Sequence, residues 1–321
     1  MWRAALAVPL AGLCAHGAAL GADAYPVRPV RLMVPLAPGG GMDTIARGIA
    51  QKLTESLGHS VVVDNRGGGG GAIAAELVAR SAPDGHTLIM LSSTSVIHPL
   101  MYQGARYEVL RDFATVSQCT TQPYIIVVHP ALPIKSVTEL VAYSKANPNK
   151  LNYASSGSGS LIHLAGELFK MATGTVMVHV PYKGIGAAYP DLIAGQIQLT
   201  FASIISGLPQ IRANRLRAVA VTGAQRTKSA PDVPTVIEAG VPGFAVMNWY
   251  GLLVPSGTPR AIIEGLHRET VKVLQQPEVI ARIEHDGAEA VGGTPQQFTA
   301  HIKAEHEKWS KVIRQAGIKG D

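Results

Sequence analysis

Residues 35–47, PLAPGGGMDTIAR, place three glycines between a short apolar run and a helical pattern that carries an acid in its first turn. The same arrangement returns twice: NRGGGGGAIAAE at 65–76 follows SVVVD, and NYASSGSGSLIHLAGELF at 152–169 runs from strand through a serine-glycine loop into helix. Strand, small-residue loop, helix is the unit from which α/β sheets are built, so these stretches decide the architecture.

Outward from them, short β-branched runs recur as RLMVPL, SVVVDN, HTLIMLS, YIIVVH, LNYASS, VMVHVPY, IQLTFAS, LRAVAVTG and YGLLVPS. Amphipathic segments such as MDTIARGIAQKLTESLG, SVTELVAYSKANP and SLIHLAGELFKMATG separate many of them. Strand alternating with helix predicts mostly parallel sheets with helices on both faces. Ser136 and Glu139 have capping-box spacing, and Thr258-Pro259 and Thr294-Pro295 each set a cap residue before a first-turn proline. After about residue 258 the pattern reads as helical to the end.

Two extended, proline-bounded stretches, CTTQPYIIVVHPALP and GVPGFAVMNWYGLLVPSGTP, have no helix between their flanking strands. They read as crossings between two lobes: residues 25–122 with 248–321 form one discontinuous lobe, and 123–247 form the second. A cleft is expected between them.

Residues 1–24 differ in kind, with one early arginine, the apolar run AALAVPLAGL and a small-x-small ADA before Tyr25. This is the pattern of a cleavable signal peptide, which predicts export to the periplasm. Cys14 falls inside it behind a bulky Leu13, against lipid anchoring, so the mature chain would hold Cys119 alone and no internal disulfide. The formal charge of +6 is scattered singly rather than gathered in basic runs with aromatics, which argues against nucleic acid as a partner.

The glycine loops exclude two ligand classes. APGGGMDT, 37–44, lacks the lysine of a phosphate-binding P-loop. Gly67 to Ala72 satisfies G-x-G-x-x-A, but it follows the second strand, and the next strand ends in serines where a dinucleotide site wants an acid. The physics of a helix start remains: unpaired N–H groups and the positive end of the dipole, approachable because the residues lack a Cβ. Gly39, Gly40 and Gly41 suit a bound carboxylate; Asp43 either caps the helix or orients waters or an ammonium. Ser155 to Ser160 supply hydroxyls and amides to a second such loop.

YPVRPVRLMVPLAPGGGMDTIAR, VVVDNRGGGGGAIAAELVARSAPDGHTL, NYASSGSGSLIHLAGELF, VPYKG and APDVPTVIEAGVPGF together resemble the Bug family, the periplasmic solute-binding receptors of tripartite tricarboxylate transport systems. The resemblance spans essentially the whole mature chain. It implies a two-lobed, Venus-flytrap α/β fold that closes on a small carboxylate and presents the closed form to membrane permease subunits, as a monomer without cofactor or metal. Carried over by residue, it implies Ala37, Gly39, Gly40, Gly41, Met42 and Asp43 on one side of the ligand. Gly157, Ser158, Gly159, Ser160 and His163 face them, with Ser92, Ser93, Thr94, Tyr182, Lys183 and Gly184 at strand ends nearby. Where many relatives carry an acid this chain has Ala202-Ser203, so Ser203 joins the site and an ammonium loses its partner. Dicarboxylates, tricarboxylates, aromatic acids and amino acids all remain as ligands.

A secreted serine or metal-dependent hydrolase is the alternative. Its support is thin: His163 and Glu167 have metal-ligand spacing without an H-E-x-x-H motif, and SSGSGS never forms G-x-S-x-G.

Overall fold

A computed structural model of the chain describes residues 25–102 and 104–318. The signal-peptide expectation and Cys14 lie outside the described residues. In chain order, β1 (Val30–Val34), α1 (Gly41–Leu57), β2 (Val61–Asn65), α2 (Ala72–Ala79), β3 (Thr87–Ser92), α3 (Ser93–Met101) and α4 (Val109–Asp112) lead to the long strand β4 (Phe113–Val128). Then come α5 (Val137–Ala146), β5 (Asn152–Ser155), α6 (Leu161–Thr173), β6 (Val178–Pro181), α7 (Tyr189–Ile193), β7 (Leu199–Ser203), α8 (Ile204–Arg212) and β8 (Arg217–Val221). The chain ends through β9 (Met247–Pro255), α9 (Arg260–Leu274), α10 (Pro277–His285), β10 (Glu289–Ala290) and α11 (Pro295–Ala316).

The sheet order is β2-β1-β3-β9-β4-β7-β5-β6, with β8 and β10 also paired to β4. β2, β1 and β3 are parallel at one end and β7, β5 and β6 at the other. Every pair made by β4 or β9 is antiparallel. Parallel strands need helical crossovers, and these give each end its covered α/β lobe. The antiparallel pairs mark where the chain passes from lobe to lobe. β4 makes that passage within one strand: Phe113 to Pro123 pair with β9, while Tyr124 to Val128 pair with β7 and β8.

Separate apolar clusters fill the two ends. Leu32, Ile45, Leu53, Met90 and Leu252 are buried between the first parallel strands and α1 and α9, and Met33, Leu91, Trp249 and Phe298 cover the other face. Tyr153, Phe169, Phe201 and Phe244 centre the second lobe. Ile97 and Met101 of α3 and Trp309, Val312 and Ile313 of α11 belong to that same cluster. The distal turns of α3 and α11 therefore pack on the second lobe.

The structure corrects the sequence reading in places. Strands do not cease at 258, because Glu289–Ala290 pairs with Thr120–Thr121. β4 begins at Phe113, well before the apolar run, because Thr115, Ser117, Gln118, Thr120 and Gln122 are buried polar residues that hide the strand's alternation. Helices α3 and α8 went unread because each contains a proline, Pro99 or Pro209, inside a short span.

Candidate functional site

The first loop is held from beneath. Gly40 is the N-cap of α1 with extended backbone and no capping side chain, and Gly39 sits at φ +83°, a conformation that glycine alone adopts without strain. Asp43, at the third helical position, turns back under the loop. Its Oδ2 accepts from the Gly39 N–H and from Arg47 Nε, both at 2.9 Å, and its Oδ1 accepts from Asn65 Nδ2 at 2.9 Å. Asn65 Nδ2 also donates to the Leu36 carbonyl, at 3.1 Å. Burial opposes ionisation of Asp43, but the hydrogen bonds from Arg47, Gly39 and Asn65 outweigh it and hold the carboxyl below its ordinary 3.8.

The Asp43 carboxylate is engaged within the protein and does not offer itself to an ammonium, and the Met42 side chain is 1% exposed in the core beside Ile45 and Tyr250. What these residues present outward is main chain. Among the described residues, the N–H groups of Gly40, Gly41, Met42 and Asp43 have no hydrogen-bond acceptor. Ala37 is exposed beside them.

The second loop repeats this construction with different residues. Ser160 caps α6, its Oγ accepting from the His163 N–H at 3.2 Å. Gly159 is at φ +74°, and its N–H donates to His163 Nδ1 at 3.1 Å. His163, also at the third helical position, thus reaches back to the residue before the cap, as Asp43 does. Its ring, 8% exposed, stacks on His179 at 3.8 Å and 5° and supports the loop from beneath. Glu167 accepts from Tyr153 Oη at 2.6 Å and from Lys170 Nζ, which occupies the carboxylate that metal spacing had singled out.

Ser155 Oγ and His179 Nε2 share a 2.6 Å hydrogen bond, the contact a nucleophile and base would make. Yet Ser155 is fully buried, and its Oγ also accepts from the Gly157 N–H and lies 3.0 Å from the Gly157 carbonyl oxygen. A substrate carbonyl has no approach to that oxygen.

The two loops meet elements from across the cleft. A Cβ at Gly41 would lie 3.2 Å from Tyr250 Oη and 3.3 Å from Ile205 Cδ1, in the first turn of α8. The Leu161 N–H of α6 points at Thr94 Oγ1 of α3, 3.4 Å away, and Tyr102 Oη donates to the Ser158 carbonyl at 3.1 Å. The starts of α1 and α8, and of α3 and α6, are therefore brought together in pairs. Ser92 and Ser203 are the N-cap residues of α3 and α8, and Ser93 Oγ and Ser203 Oγ are buried without partners. Aligned helix starts sum their partial positive charge where their N–H groups converge.

The remaining expected residues stand at the margin. Tyr182 donates to Asp191 Oδ2 at 2.5 Å, its carbonyl lies under Gly157, Lys183 is exposed, and Gly184 begins a 3-10 turn at φ +99°. Gly70 and Gly71 serve packing: a Cβ at Gly70 would stand 2.8 Å from the His98 ring and at Gly71 3.1 Å from Pro35, while Gly67 lies in ordinary contact with Ala37. The dinucleotide-like spacing thus lets one loop back the other.

Three buried residues beneath the first loop escaped sequence reasoning: Gln122 on β4, and Asn248 and Tyr250 on β9. Burial pushes the Tyr250 hydroxyl up to about 12, and contacts from Ser203, Gln122 and Asn248 partly offset it. Those contacts fall short of directed hydrogen bonds, since Ser203 Oγ, Gln122 Nε2 and Asn248 Oδ1 have no partner among the described residues. The available signal was polar residues interrupting the crossing stretches, in TTQP and MNWY.

Comparison with known proteins gives this geometry its context. The profile of the tripartite tricarboxylate transporter family receptor matches residues 45–318. Protein BugT of Bordetella pertussis (strain Tohama I) is 37% identical over 304 residues, which cover 94% of this chain and 93% of BugT. Among solved structures, R. palustris Rpa4515 with adipate has a TM-score of 0.88 at 37% identity, covering 92% of this chain and 99% of its own. MatC from Rhodopseudomonas palustris with bound malate has 0.84 at 32% identity, covering 90% of this chain and 100% of MatC. The chain belongs to the tripartite tricarboxylate transporter receptor family and is a solute-binding receptor of the Bug type.

Proposed function

We propose that the receptor captures one small organic carboxylate in the periplasm, between a first lobe of residues 25–122 with 248–321 and a second of 123–247, and hands it to the permease subunits of a tripartite transporter. The observation that carries this is the pairing of helix starts: α1 with α8 and α3 with α6, with the amides at Gly40 to Asp43 unclaimed by the protein. A carboxylate there is met by main-chain donors and by the serines at 92, 93, 158, 160 and 203 rather than by a fixed cation. Adipate and malate in the related structures support an acid of that class.

The lobes hinge where β4 changes partners, at Pro123 and Tyr124, and where β9 begins, at Met247. Closure is favoured by ligand because only the shut form gives the acid both sets of donors. Export by cleavage of residues 1–24 fits periplasmic binding proteins among the related structures.

The test is a thermal-shift screen of the mature chain against a carboxylate panel that includes adipate and malate. An acid at 100 times its Kd should stabilise by about 2.7 kcal/mol. Gly40→Val is the paired variant: Gly40 has a negative φ, and a Cβ there meets only the Ala37 carbonyl, at 3.9 Å. Valine should leave the ligand-free melting temperature unchanged and abolish the shift. A full shift in that variant overturns the assigned site, and hydrolysis of an ester probe by the native protein revives the hydrolase reading.

A further inference from the structure

Beneath the first loop lies a group of polar side chains that the carboxylate does not need. Gln122 of β4 and Asn248 of β9 are directly opposed in register, as are Thr120 and Tyr250, so all four project from one face of the pair. Gln122 is fully buried and Asn248 is 4% exposed. The Thr120 hydroxyl donates to Gln122 Oε1 at 3.1 Å, and Gln122 Nε2 is buried without an acceptor. Across from it, Asn248 Oδ1 is buried without a donor, and Ser203 Oγ is unpartnered at the start of α8. Tyr250 Oη ties this group to Gly41, the first residue of α1.

The group contains no charge. The hydroxyl of Tyr250, at its centre, is perturbed by burial and by Ser203, Gln122 and Asn248, and by no lysine, arginine, aspartate or glutamate. One stranded N–H donor stands opposite one stranded carbonyl acceptor, and leaving either unmade is costly in a buried place.

Building on the carboxylate reading, we propose that Gln122 and Asn248 form a neutral subsite for the far end of the ligand, and that this end is a carboxamide. A carboxamide offers its carbonyl to Gln122 Nε2 and its N–H to Asn248 Oδ1 at once. A second carboxylate satisfies Gln122 but sets its oxygens against Asn248 Oδ1, and an ammonium satisfies Asn248 but faces Gln122 Nε2. A site with paired polar groups rejects a ligand that leaves one of them unpaired. The preferred solute is therefore the monoamide of a short dicarboxylic acid, and a hydroxyl, which is also both donor and acceptor, is the weaker fit because a single oxygen must reach both groups.

The experiment is calorimetric titration of the mature protein with succinate and succinamate, and with adipate and its monoamide. In one or both pairs the monoamide should bind at least tenfold tighter than the diacid. Gln122→Glu replaces the stranded donor with a charged acceptor that repels a second carboxylate, so it should weaken the diacid further and favour 4-aminobutyrate over succinamate. Asn248→Asp, should the first variant fail to fold, should do the same. Diacids that bind as tightly as their monoamides overturn the neutral subsite while leaving carboxylate capture intact, as does an unchanged ranking of 4-aminobutyrate against succinamate in the variants. Absence of binding by every acid in the panel overturns both.

Discussion

Replacing Asp43 with alanine separates the two functions that an acid at this position could serve. The carboxylate holds three donors: the Gly39 N–H, Asn65 Nδ2 and Arg47 Nε. The first two bonds reach a charged acceptor that is 4% exposed, and the Arg47 pair is half in water, where it contributes little. After the substitution the exposed Gly39 N–H turns to solvent, and Asn65 keeps the Leu36 carbonyl, so the loss is smaller than for a sealed site. We expect about 2 kcal/mol, near the middle of the range for hydrogen bonds to a charged group. Taking roughly 2–4 °C per kcal/mol for a chain of this size, the melting temperature should fall by about 4–8 °C. The loop is then free at Gly39 and Gly40, and reordering two residues on binding costs about 1–2 kcal/mol each, so a ligand such as adipate should bind at least tenfold more weakly. Because the folded Asp43 carboxyl titrates below 3.8, its contribution is whole above that pH and is lost as acid protonates it through the lower folded value. The difference in melting temperature between wild type and Asp43→Asn should accordingly be flat from about pH 5 upward and shrink below about pH 4. Calorimetric titration beside thermal melts reads both effects. A variant that melts as the wild type does, or one that loses stability while keeping its affinity, refutes the claim that Asp43 acts by shaping the loop.

Two further outcomes test other parts of the structure. Tyr102→Phe removes the hydrogen bond to the Ser158 carbonyl that joins the end of α3 to the second-lobe loop. At about 0.5–1.5 kcal/mol for such a bond, affinity for a carboxylate should fall about twofold to tenfold, and small-angle scattering should show a larger ligand-free radius of gyration; unchanged values for both would show the contact does not favour closure. Cys119 is fully buried on β4, and burial pushes its thiol up to about 12 despite an opposing backbone hydrogen bond at Leu252. A thiol reagent at neutral pH should therefore label the mature chain only at the rate of its unfolding, and prompt stoichiometric labelling of the native protein would contradict the packing around β4.

The parts of the fold that were legible in sequence were those written in local pattern. β-branched runs bounded by glycine and proline located the strands at both parallel ends, and the loops at 39–41 and 157–160 stood out because small residues separated a strand from a helix. Pro99 and Pro209 concealed α3 and α8, because a proline inside so short a helix erases the usual evidence for one. The polar half of β4 was concealed by its partners: Thr120 and Gln122 are buried only because β9 returns from far along the chain to lie against them. Gln122, Asn248 and Tyr250 were invisible for the same reason. Each is unremarkable in its own segment, and the group exists only once the antiparallel register is set.

Asp43 and His163 each support a loop from the third helical position, and the choice of that position has a physical cause. A main-chain anion site fails if a nearby side chain fills it, and it also fails if its loop wanders. The third helical residue can meet both demands. Its Cβ leans toward the helix N-terminus, so a short polar side chain there reaches the N–H of the residue before the cap and leaves the cap and first-turn amides alone. Asp43 does this to Gly39 and His163 to Gly159, each with the donating glycine in the left-handed region. The chemistry of the two acceptors is unrelated, one an ionised carboxylate and the other a ring nitrogen, so charge is not what the two positions have in common. What the two loops share is geometry: a glycine bent to turn its N–H inward, a cap residue, and an acceptor four residues beyond the glycine. In the first loop that arrangement holds the amides of Gly40 to Asp43 aligned before any ligand arrives, whereas in the second the N–H groups of Gly157, Gly159, Ser160, Leu161 and His163 already have acceptors, so the main-chain donors for an anion are concentrated at the start of α1.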